Sequence, residues 1–298
     1  MVGLILFSTF ALLLIMNVPI SISLGIASAA TLLYTGEPLA MIPSNIFAAS
    51  SKFVLLAIPF FILSGNIMER GGISKRLINL AQSWVGHRKG GLALVCVIVA
   101  CFFAAISGSG PATVAALGAI IIPAMVSNGY KSNFSSALMA TAGAIGIIIP
   151  PSITFVIFGS ITGASIGSLL IAGILPGLLV GLSLSIAALL KTKNDDNINT
   201  LPRATMQEKN KAFKEAIWGL MVPVIILGGI YGGVFTPTEA AGVSVVYGLF
   251  VCVFIYKSIN LKDLYELLVI STTQSAVVMF ITATASLFAW VMTVEGVA

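Results

Sequence analysis

Apolar runs follow one another along almost the whole chain, and several are long enough to cross a bilayer, whose ~30 Å hydrocarbon core requires about 20 residues of helix. Of the 298 residues, 58% are apolar and only 8% are charged, whereas a soluble domain carries about 25% charged residues. The runs also lack the period-two alternation of an outer-membrane barrel. The sequence therefore predicts an all-α polytopic membrane protein. The apolar runs lie at 3–16, 20–35, 53–68, 90–106, 111–127, 133–160, 166–190, 215–233, 238–256 and 271–292.

Lysine and arginine concentrate in three polar connectors, at 70–89, 191–214 and 257–262. Basic loops stay in the cytoplasm, so all three connectors are predicted on that side of the membrane. The stretch 74–86 is too short and too polar to span, and it is predicted to be an amphipathic arm at the interface. Segment 191–214 is predicted to be a cytoplasmic linker, with a flexible first half. The chain has a net charge of +5 but contains no long run of lysine and arginine. No nucleic acid partner is therefore expected.

A Ser-Gly-Ser-Gly-Pro sequence at 107–111 interrupts the apolar stretch 90–127, and this composition cannot stay helical. The stretch is either two full spans or a re-entrant hairpin that enters and leaves on the cytoplasmic side. We favour the hairpin, because segments interrupted by glycine and proline mark unwound backbone that lines a cavity in a membrane protein. The run 133–160 is then one broken helix, interrupted near Gly146 and Pro150.

These two interruptions supply the candidate chemistry. A broken helix exposes carbonyl groups that suit Na⁺ on one side and N–H groups that suit a carboxylate on the other, and the hydroxyls of Ser107, Ser109 and Thr113 can serve either ligand. The prolines at 150–151 leave the carbonyls of 147–149 without helical partners. A proline kink satisfied by neighbouring helices is the alternative for each break alone. Two breaks flanking one cavity favour a binding site.

Other motifs exclude several function classes. His87 is the only histidine, it lies beside basic residues, and no metal cluster or phosphate loop is present, so neither an enzyme nor a cofactor is predicted. No acidic residue lies at mid-membrane depth before residue 190, which argues against a proton relay.

Two further features are predicted to be structural. Glu239 is predicted to cap a helix. Gly173, Gly177 and Gly181 are predicted to form a helix-packing face.

The chain contains a weak internal repeat. The apolar run that ends before Gly72 is similar to the run that ends before Gly296, at an offset of 224 residues. Charge placement orients the two runs oppositely, which is the arrangement of inverted repeats in secondary transporters. The predicted division is a first repeat at 1–190, the linker at 191–214 and the start of a second repeat at 215–298. Because counterparts of 74–190 are then missing, we expect a truncated gene or a fragment.

Six stretches, taken in chain order, resemble the large membrane subunit (DctM-type permease) of tripartite ATP-independent periplasmic (TRAP) transporters. This resemblance implies an inverted-repeat, ion-transporter-like elevator fold with a re-entrant hairpin, in a bacterial inner membrane. It implies Na⁺-coupled uptake of an organic acid, a C4-dicarboxylate or a sialic-acid-like carboxylate, handed over by a periplasmic binding protein. A small membrane subunit would be the partner within the bilayer. The stretches are 56–65, 71–73, 107–118, 148–153, 172–177 and 235–241.

The resemblance also implies the residues of the site, with Na⁺ as the coupling ion and no other metal. Two alternatives stay open, a non-transporting truncated membrane remnant and a dicarboxylate symporter of similar fold that needs no binding protein. The implied Na⁺ ligands are Ser107, Gly108, Ser109, Gly146 and Pro150. The implied substrate contacts are Ser109, Thr113 and Ser152.

Overall fold

The computed structural model describes residues 1–193 and 195–297, and every regular element in that part of the chain is a helix. Six helical segments are long and apolar enough to cross a membrane, and four shorter helices are also apolar. The prediction of an all-α polytopic membrane protein is confirmed. The helices are α1 (Val2–Ile15), α2 (Ile20–Thr35), α3 (Met41–Ser50), α4 (Ala57–Arg70), α5 (Ile73–Val85), α6 (Gly91–Ser107), α7 (Gly110–Ser127), α8 (Ser132–Ala144), α9 (Ile153–Thr162), α10 (Ile166–Thr192), α11 (Met206–Tyr231), α12 (Pro237–Phe250) and α13 (Leu261–Val294), with short 3₁₀ turns at Phe53–Leu56 and Ile145–Ile147 and a π turn at Val251–Ile255.

Contacts divide the chain into two compact units, Met1–Leu56 with Thr272–Ala298, and Ala57–Ser271. The first unit has an apolar core in which α1 and α2 meet the C-terminal part of α13, and it includes Leu6, Ala27 and Leu287. The second unit contains both interrupted segments. This division follows contacts, whereas the predicted repeats at 1–190 and 215–298 follow sequence similarity, so the repeats stay a prediction.

Within the second unit, α4 packs against α12 and α5 packs against α11. The Cys252 thiol donates to the Ile67 carbonyl at 3.5 Å, and Gly71 lies directly against its sulfur. Helix α5 buries one face through residues such as Ile73 and Leu77, while Trp84 stays 54% exposed. The predicted arm is therefore an amphipathic helix with its apolar face packed on protein.

The connector between α10 and α11 is shorter and better anchored than the sequence indicates. Residues 195–201, here called the strap, lie across the ends of other helices. The Asn199 N–H donates to the Asn128 carbonyl at 2.9 Å, and the Leu201 N–H donates to the Gly86 carbonyl at 3.3 Å. Two backbone donors of the strap thus pair with carbonyls of neighbouring turns, and the flexibility of the first half of the connector stays a prediction.

One ion pair adds to these contacts. The Lys89 ammonium lies 2.9 Å from the Asp196 carboxylate and lowers the pKa of that carboxyl group. The pair is solvent-exposed, so it contributes little to stability. Backbone hydrogen bonds therefore position the strap more than charge does.

Candidate functional site

Helices α6 and α7 are joined by only two residues, Gly108 and Ser109. Gly108 ends α6 in the left-handed conformation (φ 62°), and its N–H donates to the Ala104 carbonyl at 2.9 Å. Ser109 then caps α7, and its Oγ accepts from the Ala112 N–H at 3.4 Å. Glycine after a helix end and serine before a helix start are the residues that these positions favour. The hairpin break is therefore encoded locally.

The second break has the same construction at its C-terminal end. Helix α8 passes into the 3₁₀ turn, and Ser152 caps α9 with an extended backbone (φ −125°) close to that of Ser109 (φ −135°). The Ser152 Oγ accepts from the Phe155 N–H at 3.4 Å and donates to the Ile147 carbonyl at 2.7 Å. One buried hydroxyl thus joins both halves of the broken helix and satisfies a carbonyl that the prolines leave free.

The two breaks cross each other at backbone contact distance. The Ile153 N–H donates to the Gly108 carbonyl at 3.3 Å. A Cβ atom on Gly146 would lie 3.0 Å from the backbone of Gly110. The end of α6 therefore meets the start of α9, and the start of α7 meets the 3₁₀ turn. The N–H groups at the helix starts favour an anion, and the carbonyls at the helix end and the turn favour a cation.

Gly146→Ala is expected to destabilise the chain, because the added methyl group would lie 3.0 Å from three backbone atoms of Ser109 and Gly110 and overpacking costs about 1–3 kcal/mol. Gly228→Ala is the control, since a Cβ there meets nothing within 4 Å. Thermal unfolding of the purified protein in detergent measures the difference. A melting temperature of Gly146→Ala that equals or exceeds that of the control would contradict close contact at the crossing.

Buried hydroxyls line this crossing. Thr113 is 0% and Ser107 is 4% exposed, and their oxygens lie 3.2 Å apart. The Thr113 hydroxyl donates to the Ser109 carbonyl at 2.8 Å, so in the contact between the two hydroxyls Ser107 is the donor. The Ser107 Oγ also accepts from the Ser109 N–H at 3.4 Å. The backbone of Ser109 thus holds both hydroxyls in place at the turn between α6 and α7.

The structure brings most of the residues that the sequence singled out into one region. Ser107, Gly108, Ser109, Thr113 and Gly146 contact one another directly or through Gly110, and Ser152 adjoins the Gly108 carbonyl through Ile153. Pro150 is buried and lies between the 3₁₀ turn and Ser152. Its neighbour Pro151 supplies the carbonyl oxygen that a Cβ on Gly108 would meet at 2.6 Å.

Sequence reasoning missed the contribution of α4. A Cβ on Gly65 would lie 3.2 Å from the Cα of Ser107, so α4 supports the hairpin tip from behind. The adjacent Ser64 is 0% exposed, and its hydroxyl has no hydrogen-bond partner among the described residues. The Ser-Gly pair after an apolar run was the available signal, since small residues permit close helix approach.

Helix α10 packs on the second break as the glycine spacing predicts. Gly173 and Gly177 lie against Ile148 and Ile149 of the broken segment, and a Cβ on Gly181 would lie 2.9 Å from the Cys101 sulfur. The predicted packing face is confirmed.

The predicted cap at Glu239 is also confirmed. Its carboxylate accepts from the Thr236 N–H at 2.8 Å, while its own N–H donates to the Thr236 hydroxyl at 3.3 Å. This reciprocal arrangement is a capping box.

Among the described residues no group of three histidine, cysteine or acidic side chains could hold a metal ion. The groups that meet at the crossing are serine and threonine hydroxyls and backbone N–H and carbonyl groups, all of which are neutral.

A family model described as "Tripartite ATP-independent periplasmic transporter, DctM component" matches residues 7–298. The chain belongs to this family. The suggested relationship to TRAP large permeases is confirmed, as is the prediction that the chain is not an enzyme, because the relatives are named as transporter permeases.

Three DctM-family relatives give the extent of the similarity. The isethionate TRAP transporter permease protein DctMQ of Oleidesulfovibrio alaskensis is 45% identical over 98% of this chain and 46% of its own length. The C4-dicarboxylate TRAP large permease of Rhodobacter capsulatus is 41% identical over 100% and 71%, respectively. That of Pseudomonas aeruginosa is 44% identical over 92% and 64%. The chain thus spans less than two thirds of two of these relatives.

Proposed function

We propose that this DctM-family chain is the permease subunit of a Na⁺-coupled uptake system for an organic acid in the bacterial inner membrane. A periplasmic binding protein delivers the substrate, and a small membrane subunit is the partner in the bilayer. The observation that supports this most is the crossing of two broken helices, each restarted by a buried or half-buried serine cap. Helix breaks of this kind line ion and substrate sites in secondary transporters.

The proposed Na⁺ site uses the hairpin tip and the broken helix. Its ligands are the carbonyl and hydroxyl oxygens of Ser107, Gly108 and Ser109, together with backbone near Gly146 and Pro150. Neutral oxygens suit an alkali cation. Carbonyl groups that lack a hydrogen-bond partner are costly in an apolar surrounding, so binding a cation to them is favourable. Bound Na⁺ would hold the two breaks together, because it draws oxygens from both.

The proposed substrate site uses the starts of α7 and α9, which both border the crossing. Ser109, Thr113 and Ser152 lie at or within the first turn of these helices. A helix N-terminus offers N–H donors and a positive dipole end, so it favours a carboxylate or another organic anion. Two of the relatives are named for C4-dicarboxylates and one for isethionate, and all of these are organic anions.

The proposed mechanism is an elevator movement. Na⁺ orders the crossing first and so positions the hydroxyl and N–H groups for the substrate. The loaded site then moves across the membrane as one body. Coupling follows because a crossing that lacks Na⁺ binds substrate weakly.

The test is uptake by proteoliposomes that contain the permease as its gene encodes it, together with its partner subunits. Uptake is expected in a Na⁺ gradient and not in a K⁺ gradient. Equal uptake in K⁺ would overturn Na⁺ coupling. Uptake without the binding protein would favour the independent symporter, and neither uptake nor Na⁺ binding would favour the non-transporting remnant.

Ser109→Ala is expected to raise the Na⁺ concentration for half-maximal uptake by roughly tenfold, because it removes a hydroxyl ligand and the cap of α7, which is worth about 1 kcal/mol. Ser109→Gly separates the two effects, since glycine keeps most of the capping stability but has no hydroxyl. Ser127→Ala, at the exposed end of the same helix, is the control. Unchanged Na⁺ dependence in both Ser109 variants would remove this residue from the site.

A further inference from the structure

A small cavity of about 70 Å³ lies beside the strap, away from the crossing. Three segments build it. The turn before α8 contributes Tyr130 and Lys131, the first turn of α8 contributes Phe134, and the end of α10 contributes Lys191 and Thr192. The strap closes it through Ile198.

The apolar walls of this cavity are held firmly. Tyr130 is only 4% exposed, and its ring stacks on that of Phe134 with centroids 6.3 Å apart and an interplanar angle of 12°. Thr192 is 2% exposed, and its hydroxyl donates to the Ala188 carbonyl at 2.8 Å. Ile198 is 8% exposed and sits next to Asn199, which the backbone hydrogen bond to Asn128 holds in place.

The charge at the mouth of the cavity is positive. Within the described residues, neither Lys131 nor Lys191 has a carboxylate partner within 4 Å. Asp195 is the acidic residue of the lining, and its Oδ1 accepts from the N–H and the side-chain amide of Asn197 at 3.2 and 3.1 Å. That carboxylate is therefore engaged in its own turn, while both ammonium groups are available to an anion.

The position of the cavity along the chain points to a lipid. The candidate spans Gly110–Ser127 and Ile166–Thr192 end beside it, so the two lysines lie where these helices would reach the headgroup region. The predicted side is cytoplasmic, where lysines attract anionic lipids. Ala187 and Leu184 lie one and two turns before Lys191 on the same face of α10, and both keep apolar surface exposed that an acyl chain could follow.

We propose that this cavity binds the phosphate group of an anionic phospholipid, with Lys131 and Lys191 contacting the phosphate and α10 contacting an acyl chain. The site is separate from the proposed transport site. A free phosphate ion has the same charged group, but it would gain nothing from the exposed apolar residues of α10.

Native mass spectrometry of the purified chain with added phosphatidylglycerol or phosphatidylcholine tests the proposal. Phosphatidylglycerol is expected to bind in preference to phosphatidylcholine. The double variant Lys131→Gln/Lys191→Gln is expected to weaken phosphatidylglycerol binding roughly 30-fold. The control Lys211→Gln/Lys214→Gln removes the same charge from exposed positions of α11 and is expected to keep the affinity.

Asp195→Asn tests the sign of the effect. It removes the one negative group of the lining while keeping an oxygen for the Asn197 donors, so phosphatidylglycerol is expected to bind more tightly. Equal binding of both lipids, or an equal loss in the two lysine variants, would overturn the proposal. Displacement of phosphatidylglycerol by millimolar inorganic phosphate would also overturn the lipid assignment, because it would show a site for a soluble anion.

Discussion

Gly108→Ala is expected to destabilise the chain and to remove any stabilisation by Na⁺. The residue has a φ of 62°. A residue with a Cβ atom destabilises the folded chain by about 1–2 kcal/mol in this left-handed conformation. The larger effect comes from space. A Cβ on Gly108 would lie 2.6 Å from the Pro151 carbonyl oxygen, which is backbone and cannot rotate away. The two breaks would have to separate.

Gly163→Ala is the matched control for this variant. Gly163 has a φ of 76° and a Cβ there would meet nothing within 4 Å, so it shares the conformational cost without the collision. Thermal unfolding with and without Na⁺ in detergent gives the comparison. We expect Gly108→Ala to melt at least about 3 °C below Gly163→Ala, since 1 kcal/mol corresponds to roughly 2–4 °C in proteins of about this size. Equal melting temperatures, or an equal Na⁺ response, would show that the crossing tolerates the methyl group.

Gly129→Ala is expected to release the strap. Gly129 has a φ of 89°, and a Cβ on it would overlap the carbonyl oxygen of Asn197. The strap is held by two backbone hydrogen bonds, each worth about 1 kcal/mol, and by the burial of Ile198, worth about 1.5–3 kcal/mol. Detaching the strap therefore costs less than compressing two backbone segments into the same space.

Limited trypsin digestion measures this release, because Lys193 and Arg203 flank the strap. Cleavage at these positions is expected to accelerate at least tenfold in Gly129→Ala, since proteolysis follows the population of the open form. Gly163→Ala again supplies the control with the same backbone conformation and no collision. Cleavage at the wild-type rate in Gly129→Ala would mean that the strap does not need this contact.

Much of the secondary structure follows from local properties of the sequence. The apolar runs correspond to ten helical segments, because burying apolar side chains and satisfying backbone groups within a membrane both require helix. The break at 107–111 and the break before Ser152 could be predicted because glycine, proline and serine act on their own turn. The ten-residue helix α3 was missed, since it is too short to register as an apolar run.

Helix starts were located less well, although signals for them were present. Helix α11 begins at Met206 rather than 215, and Thr205 with Glu208 forms a capping box before it. Helix α13 begins at Leu261 rather than 271, where Asn260 Oδ1 accepts from the Asp263 N–H at 2.9 Å. Both helices open with polar turns, which a search for apolar runs passes over.

The sequence by itself determined where helices run, where they break and which small or hydroxyl residues stand at the breaks. Each of these depends on the conformational preferences of a few adjacent residues. Only the tertiary structure decided that the Gly108 carbonyl meets the Ile153 N–H, that Gly65 supports Ser107 and that a polar connector is tied to Asn128. These contacts join residues far apart in the chain, and their energy comes from close approach of backbone, which composition and periodicity do not encode.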